Sequence, residues 1–212
     1  MKKISIIDYG CGNLLSIKRA LEKIGHKSEI TNKKENIFAS DFLILPGVGA
    51  FENAMKLLKK NDLIEVLKEF VTNKKKRLLG ICLGMQILLT KSYEMGNHKG
   101  LNFIKGEVVQ IKKRTKNKMI KIPHISWNKI FSNENSNKNE KLNFKYLDLK
   151  YYFVHSFLAE TKDSKYTLAY CRYHDVLVPS IVRYENILGC QFHPEKSGQS
   201  GLNFLKDVIN KW

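Results

Sequence analysis

Apolar positions along the chain follow two rhythms. Up to residue 95, short solid runs alternate with stripes of helical period. "KISIID" (residues 3–8) is a solid run and predicts a buried strand. "GNLLSIKRALEKIG" sets Leu14, Ile17, Leu21 and Ile24 on one stripe and ends at Gly25, which predicts a helix. "HKSEIT" reads as a second strand, and "DFLILPGVGAF" as an apolar strand entering a Pro-Gly turn. "FENAMKLLKK" and "LIEVLKEFVTNK" then read as helices, "RLLGI" as a buried strand and "MQILLTKSYE" as a further helix. Such alternation predicts a parallel sheet with helices on both faces, its ligand site lying beyond the carboxyl ends of the strands.

After residue 100 the pattern changes. "GEVVQIKK", "YYFVHSFLAE", "YTLAYCRYH", "LVPSIVRYE" and "NILGCQFH" are β-rich segments joined by short polar turns, and "YEN" between the last two predicts a hairpin. "SGLNFLKDVINKW" closes as an amphipathic helix, and residues 131–145 form a low-complexity patch that reads as a surface loop. No internal repeat or linker interrupts the series. The expectation is one α/β domain over residues 1–212, with a mostly parallel central sheet flanked by helices and a β-rich C-terminal half.

Composition changes this picture little. The 212 residues are 43% hydrophobic and 27% charged, as in soluble globular chains. No apolar run nears the ~20 residues of a membrane span, and Asp8 interrupts the only candidate for a leader. Four cysteines without C-x-x-C spacing point to a reduced cytoplasm. The net charge of +17 could mark a nucleic-acid binder. The cations, however, are overwhelmingly lysines spread along the chain, with only five arginines, which reads as solvated faces. No nucleic-acid or membrane partner is expected. His155 and His174 lack ligand-type spacing with His193, so no metal is expected, and no cofactor either.

One stretch carries chemistry. In "RLLGICLGMQILL", Gly80 and Gly84 flank Cys82 where a buried strand turns into a helix. That is the setting of a nucleophile elbow, in which the glycines let strand and helix approach and the Leu83 amide faces a developing oxyanion. A buried, inert cysteine would satisfy the apolar pattern equally well. A base is offered by "CQFHPEKS", where His193 and Glu195 stand two apart at a strand end, so that both side chains leave one face. A carboxylate beside an imidazole fixes its tautomer and supports its charge.

"GICLGMQ" together with "FHPEKS" closely resembles the class I glutamine amidotransferases, whose triad is Cys, His, Glu. "IDYGCGN", "LPGVGAF", "KIPHISWN" and "YYFVHSF" look like the glutaminase subunits of imidazole glycerol phosphate synthases, and the resemblance covers essentially the whole chain. It implies that Cys82 attacks the side-chain amide of glutamine with His193 and Glu195 as base and orienter. It implies an oxyanion site at Leu83 and at Val48 and Gly49, and a substrate pocket walled by Gln86, Ser156 and Phe157. It also implies a (β/α)8-barrel cyclase partner that receives the ammonia, faced by His124, Trp127, Asn128, Tyr152 and Lys196. Ser126, in place of a common glycine, and Phe157, in place of a common tyrosine, would also fit a paralogue feeding a nucleotide-sugar amination enzyme. A stand-alone γ-glutamyl hydrolase would keep the same triad.

Overall fold

A computed structural model describes residues 2–136 and 147–212. Its first half alternates as the pattern predicts: β1 (Ile4–Ile7), α1 (Leu14–Lys23), β2 (Ser28–Thr31), α2 (Lys34–Phe38), β3 (Phe42–Leu45), α3 (Phe51–Lys60), α4 (Leu63–Thr72), β4 (Arg77–Ile81) and α5 (Leu83–Ile87). The second half holds β5 (Lys91–Ser92), β6 (His98–Lys99), β7 (Gly106–Gln110), β8 (His124–Ser132), β9 (Lys150–His155), β10 (Phe157–Thr161), β11 (Thr167–Tyr173), β12 (Val176–Tyr184), β13 (Ile187–Cys190) and α6 (Gly198–Lys211).

Among the described residues, nine strands form one mixed sheet in the order β2-β1-β3-β4-β13-β12-β11-β8-β9. It is parallel from β2 to β13 and antiparallel from β13 to β9. The expected hairpin joins β12 and β13, with Tyr184 opposite Ile187. A smaller sheet, in the order β10-β7-β5-β6, packs beside it. Strand alternation sorts the core into two layers. Ile4, Ile6, Phe42 and Ile44 meet α1 and α6 through Ile17, Leu21, Phe204 and Val208. Ile7, Leu43 and Leu45 meet α3, α4 and the smaller sheet through Phe51, Leu58, Leu67 and Val108. Burial on both faces is why β1, β3 and β13 read as solid apolar runs. Among the described residues, no helix is long and apolar enough to cross a membrane.

Three elements differ from the pattern reading. The helix expected over "MQILLTKSYE" stops at Ile87, and Lys91–Ser92 instead pairs with β6 and β7. Met85 through Leu89 are buried, so the apolar run carries no period that could mark an end. α2 has only five residues and one buried apolar position, Ile37. β8 was hidden because its polarity is inverted. Its inward positions include His124 and Asn128, while Ile125, Trp127 and Phe131 point outward. Of the expected loop at 131–145, Phe131 and Ser132 finish β8 and Asn133 is buried, donating to Thr167 O at 2.8 Å and Ser164 O at 2.9 Å. Positions 137–145 of that loop lie outside the described residues.

Candidate active site

The site lies at the carboxyl ends of β4 and β13, neighbouring parallel strands in which Ile81 stands opposite Cys190. Cys82 follows β4 directly, its amide bonded to Cys190 O at 2.8 Å, and the chain turns there with φ 54° and ψ −110°. A non-glycine residue at positive φ is strained by ~1–3 kcal/mol, so the surrounding structure must impose it. The flanking glycines make the turn possible. A Cβ on Gly80 would meet the Gly84 carbonyl oxygen at 2.7 Å, and one on Gly84 would strike Leu45 O. Leu83 opens α5, where a backbone N–H has no intrahelical acceptor.

His193 arrives from β13, but not by strand alternation. β13 ends at Cys190, and Pro194–Lys196 forms a 3-10 turn. This turn, rather than the expected strand end, brings His193 Nδ1 to 2.7 Å from Glu195 Oε1. Ser197 Oγ braces it by donating to His193 O at 2.6 Å and accepting from Tyr152 N at 2.9 Å. Both side chains of the pair are almost fully buried. Burial alone would lower the His193 pKa, but hydrogen bonds to Cys82 and Glu195 outweigh it and raise it to about 10. The imidazole therefore holds a proton at neutral pH.

A cavity of about 340 Å³ opens over the sulfur, lined by Val48, Gly49, Leu83, Gln86, Ser156 and Phe157 as well as by Cys82 and His193. Every pocket residue expected from the sequence thus lines one cavity. Gln86 is buried, and its amide nitrogen donates to Phe157 O and Gln191 Oε1, each at 3.0 Å, which leaves Oε1 to face a ligand. Gln191, unforeseen in the sequence, also donates to Cys82 Sγ at 3.6 Å. A second unforeseen residue is Glu94, which lines the cavity and accepts from the Phe51 amide at 2.7 Å. A lone carboxylate in a polar run gives no sequence signal. Two anchors hold the "PGVG" turn: Tyr9 Oη donates to Pro46 O at 2.7 Å, and Cys11 Sγ lies 2.7 Å from Val48 O.

The expected partner-facing residues divide. Trp127 is 50% exposed, with its ring 5.9 Å from that of Tyr152, and Lys196 is exposed at the cavity rim. Asn128 is half-buried and tied to Arg172 O at 3.0 Å. His124 corrects the expectation. It is 0% exposed, stacked between Phe153 and Tyr173, and faces no partner directly. Among the described residues no cluster of side chains could hold a metal.

Residues 5–212 match the family model of the class-I glutamine amidotransferases. The chain belongs to that family. This amidotransferase is 45% identical over 211 residues to the imidazole glycerol phosphate synthase subunit HisH of Lactococcus lactis subsp. lactis, covering 100% of both chains. It is 45% identical over 204 residues to the HisH subunit of Carboxydothermus hydrogenoformans, covering 96% of each. With subunit HisH 1 of Legionella pneumophila (strain Lens) it shares 42% over 217 residues, covering 99% of each. Among solved structures, PurLQS from Thermotoga maritima superposes with a TM-score of 0.70 at 18% identity over 99% of each chain. A glutamine amidotransferase crystal structure does so with 0.69 at 18% over 96% of each. At such identity these two support the fold of this amidotransferase alone.

Proposed function

We propose that this amidotransferase is the glutaminase subunit of an imidazole glycerol phosphate synthase. It hydrolyses L-glutamine and passes the ammonia to a (β/α)8-barrel cyclase subunit, which makes imidazole glycerol phosphate and AICAR in histidine biosynthesis. The observation that carries the chemistry is the line of Cys82, His193 and Glu195 at the foot of a cavity sized for an amino acid. Full-length likeness to HisH subunits supports the choice of pathway over a nucleotide-sugar paralogue or a stand-alone hydrolase. A single folding unit over residues 1–212 is supported by the main sheet, in which late β13 lies between β4 and β12.

The steps follow from the groups in place. The Cys82 sulfur, having given its proton to His193, attacks the side-chain carbonyl carbon of glutamine. The negative oxygen is met by the Leu83 amide and by an amide of the Val48–Gly49 turn. His193 returns its proton to the amide nitrogen as the C–N bond breaks, so ammonia leaves and a glutamyl thioester remains. His193 then takes a proton from water, whose oxygen attacks the thioester, and glutamate departs as the sulfur is restored. Glu195 holds the imidazole throughout. Gln86 Oε1 and the Glu94 carboxylate are acceptors suited to the substrate ammonium, and Ser156 and Phe157 supply backbone to the opposite wall. The face with exposed Trp127 and Lys196 and half-buried Tyr152 reaches the cavity at Lys196, which supports its role as the partner's seat.

Changing Cys82 to Ala tests the assignment. Glutamine hydrolysis should be lost, while the assembled complex keeps its synthase reaction when ammonium salt is supplied. Substantial glutaminase activity in the purified variant would overturn the role of Cys82.

A further inference from the structure

His155, which lines the cavity beside Ser156 and Phe157, and His124 next to it are two buried histidines that the proposed mechanism does not use. His155 Nδ1 is 2.7 Å from Phe157 O, and its Nε2 is 2.9 Å from His124 Nδ1. His124 Nε2 is in turn 2.9 Å from Asn128 Oδ1. The chain therefore runs from the pocket wall to β8 through three contacts.

Both ends of this chain are acceptors. A carbonyl can only accept, so Phe157 O requires the proton to sit on His155 Nδ1. Asn128 Nδ2 donates to the Arg172 carbonyl at 3.0 Å, which fixes the amide so that its oxygen faces His124. With Nδ1 protonated, a neutral His155 offers Nε2 as an acceptor, which His124 Nδ1–H fills. Three contacts need three protons, whereas two neutral rings carry two. The contact left without one is the outermost, at Asn128, whose oxygen already accepts from the Ser126 hydroxyl. Phe157 O is also the acceptor of Gln86 Nε2, so whatever holds this carbonyl holds Gln86 as well.

We propose that His155 and His124 are positioning residues of the glutaminase pocket: His155 fixes the Phe157 carbonyl, and His124 fixes the tautomer of His155. The proposal rests on the glutaminase reading. The proposed bond-making steps draw on neither ring. The two rings set the wall and the Gln86 side chain, which receive the far end of the substrate. Binding lost at that end weakens ground state and transition state alike, so it raises KM and leaves kcat nearly unchanged. Burial pushes His155 down to about 3, with His124 adding to the shift, and burial also lowers His124, consistent with neutral rings during turnover.

The test uses the assembled complex and three variants. His155→Phe keeps a ring but removes the donor, and should raise KM for glutamine about 10-fold, the loss of roughly one hydrogen bond, with kcat within about two-fold. His155→Asn places an amide N–H near the Nδ1 position and should restore most of the loss. His124→Phe should raise KM by a smaller factor. In the wild-type complex, two-bond 1H–15N correlations of labelled histidine should show His155 in the Nδ1–H form. That reading needs neither a variant nor activity, so it stands apart from the glutaminase assignment, which a complex without glutamine hydrolysis would overturn by itself. An unchanged KM in His155→Phe, an Asn variant as impaired as the Phe variant, or an Nε2–H tautomer at His155 would each overturn the positioning role.

Discussion

At the scale of single residues, the three groups of the triad should contribute unequally. If His193 and Cys82 act as the proposed base and nucleophile, they work as a unit, and His193→Ala should be nearly as damaging as loss of the nucleophile, on the order of 10⁴-fold or more in kcat. Glu195→Gln should cost less, since an amide oxygen can still accept from Nδ1 and keep the ring oriented. Steady-state kinetics of both variants in the complex decides this, and a Gln variant worse than His193→Ala would reverse the assigned roles. The raised pKa of His193 also has a sign. A histidine raised from its usual ~6.5 to about 10 on folding adds stability in full below ~6.5, and loses it as pH climbs through about 10. The stability gap between wild type and His193→Gln, read from denaturant midpoints, should therefore shrink from pH 6 to pH 10. A gap independent of pH would mean that the imidazole is not held charged.

At the scale of elements, what could be read from the sequence depended on whether a local pattern carried the chemistry. The elbow was legible because Gly80, Cys82 and Gly84 serve one turn within five residues, and the pairing of His193 with Glu195 because they stand two apart. The means of that pairing was not legible, since a 3-10 turn and a strand end place an i, i+2 pair similarly in sequence. Gln191 and Glu94 reach the cavity through tertiary packing that no spacing encodes. β8 was obscured because solvent-facing Ile125 and Trp127 reverse the usual apolar-in rule, a pattern expected of an interaction surface. If Trp127 is an anchor of that surface, Trp127→Ala should weaken binding of the proposed cyclase subunit by ~2 kcal/mol or more, roughly 30-fold in Kd. The isolated chain should lose little stability, because half of the side chain is already in water. Titration calorimetry alongside thermal melts separates the two effects, and an unchanged Kd would remove Trp127 from the interface.

At the scale of the whole molecule, the question is how a glutaminase avoids wasting glutamine when no acceptor waits for the ammonia. The "PGVG" turn is the candidate for the means of control. Its Pro46 and Val48 carbonyls are anchored by Tyr9 and Cys11, and the peptide joining Gly47 to Val48 lies between these anchors. Gly49, at φ 91°, gives the turn a conformational freedom that other residues lack. A carbonyl of this turn facing the sulfur, in place of an amide, would leave the oxyanion one donor short. That costs ~3 kcal/mol, or roughly 100- to 1000-fold in rate. β9 borders the same cavity through Val154 and His155 and pairs with β8, so a partner seated on the outer face of the two strands could favour the amide-in state by its differential affinity for the two. Glutamate release should then be slow from the chain alone, and fastest when the partner has bound its own acceptor substrate. Measuring it in three mixtures — chain, chain with partner, and chain with partner and acceptor — tests the switch directly. Equal rates in all three would falsify it and leave the enzyme a hydrolase indifferent to its partner.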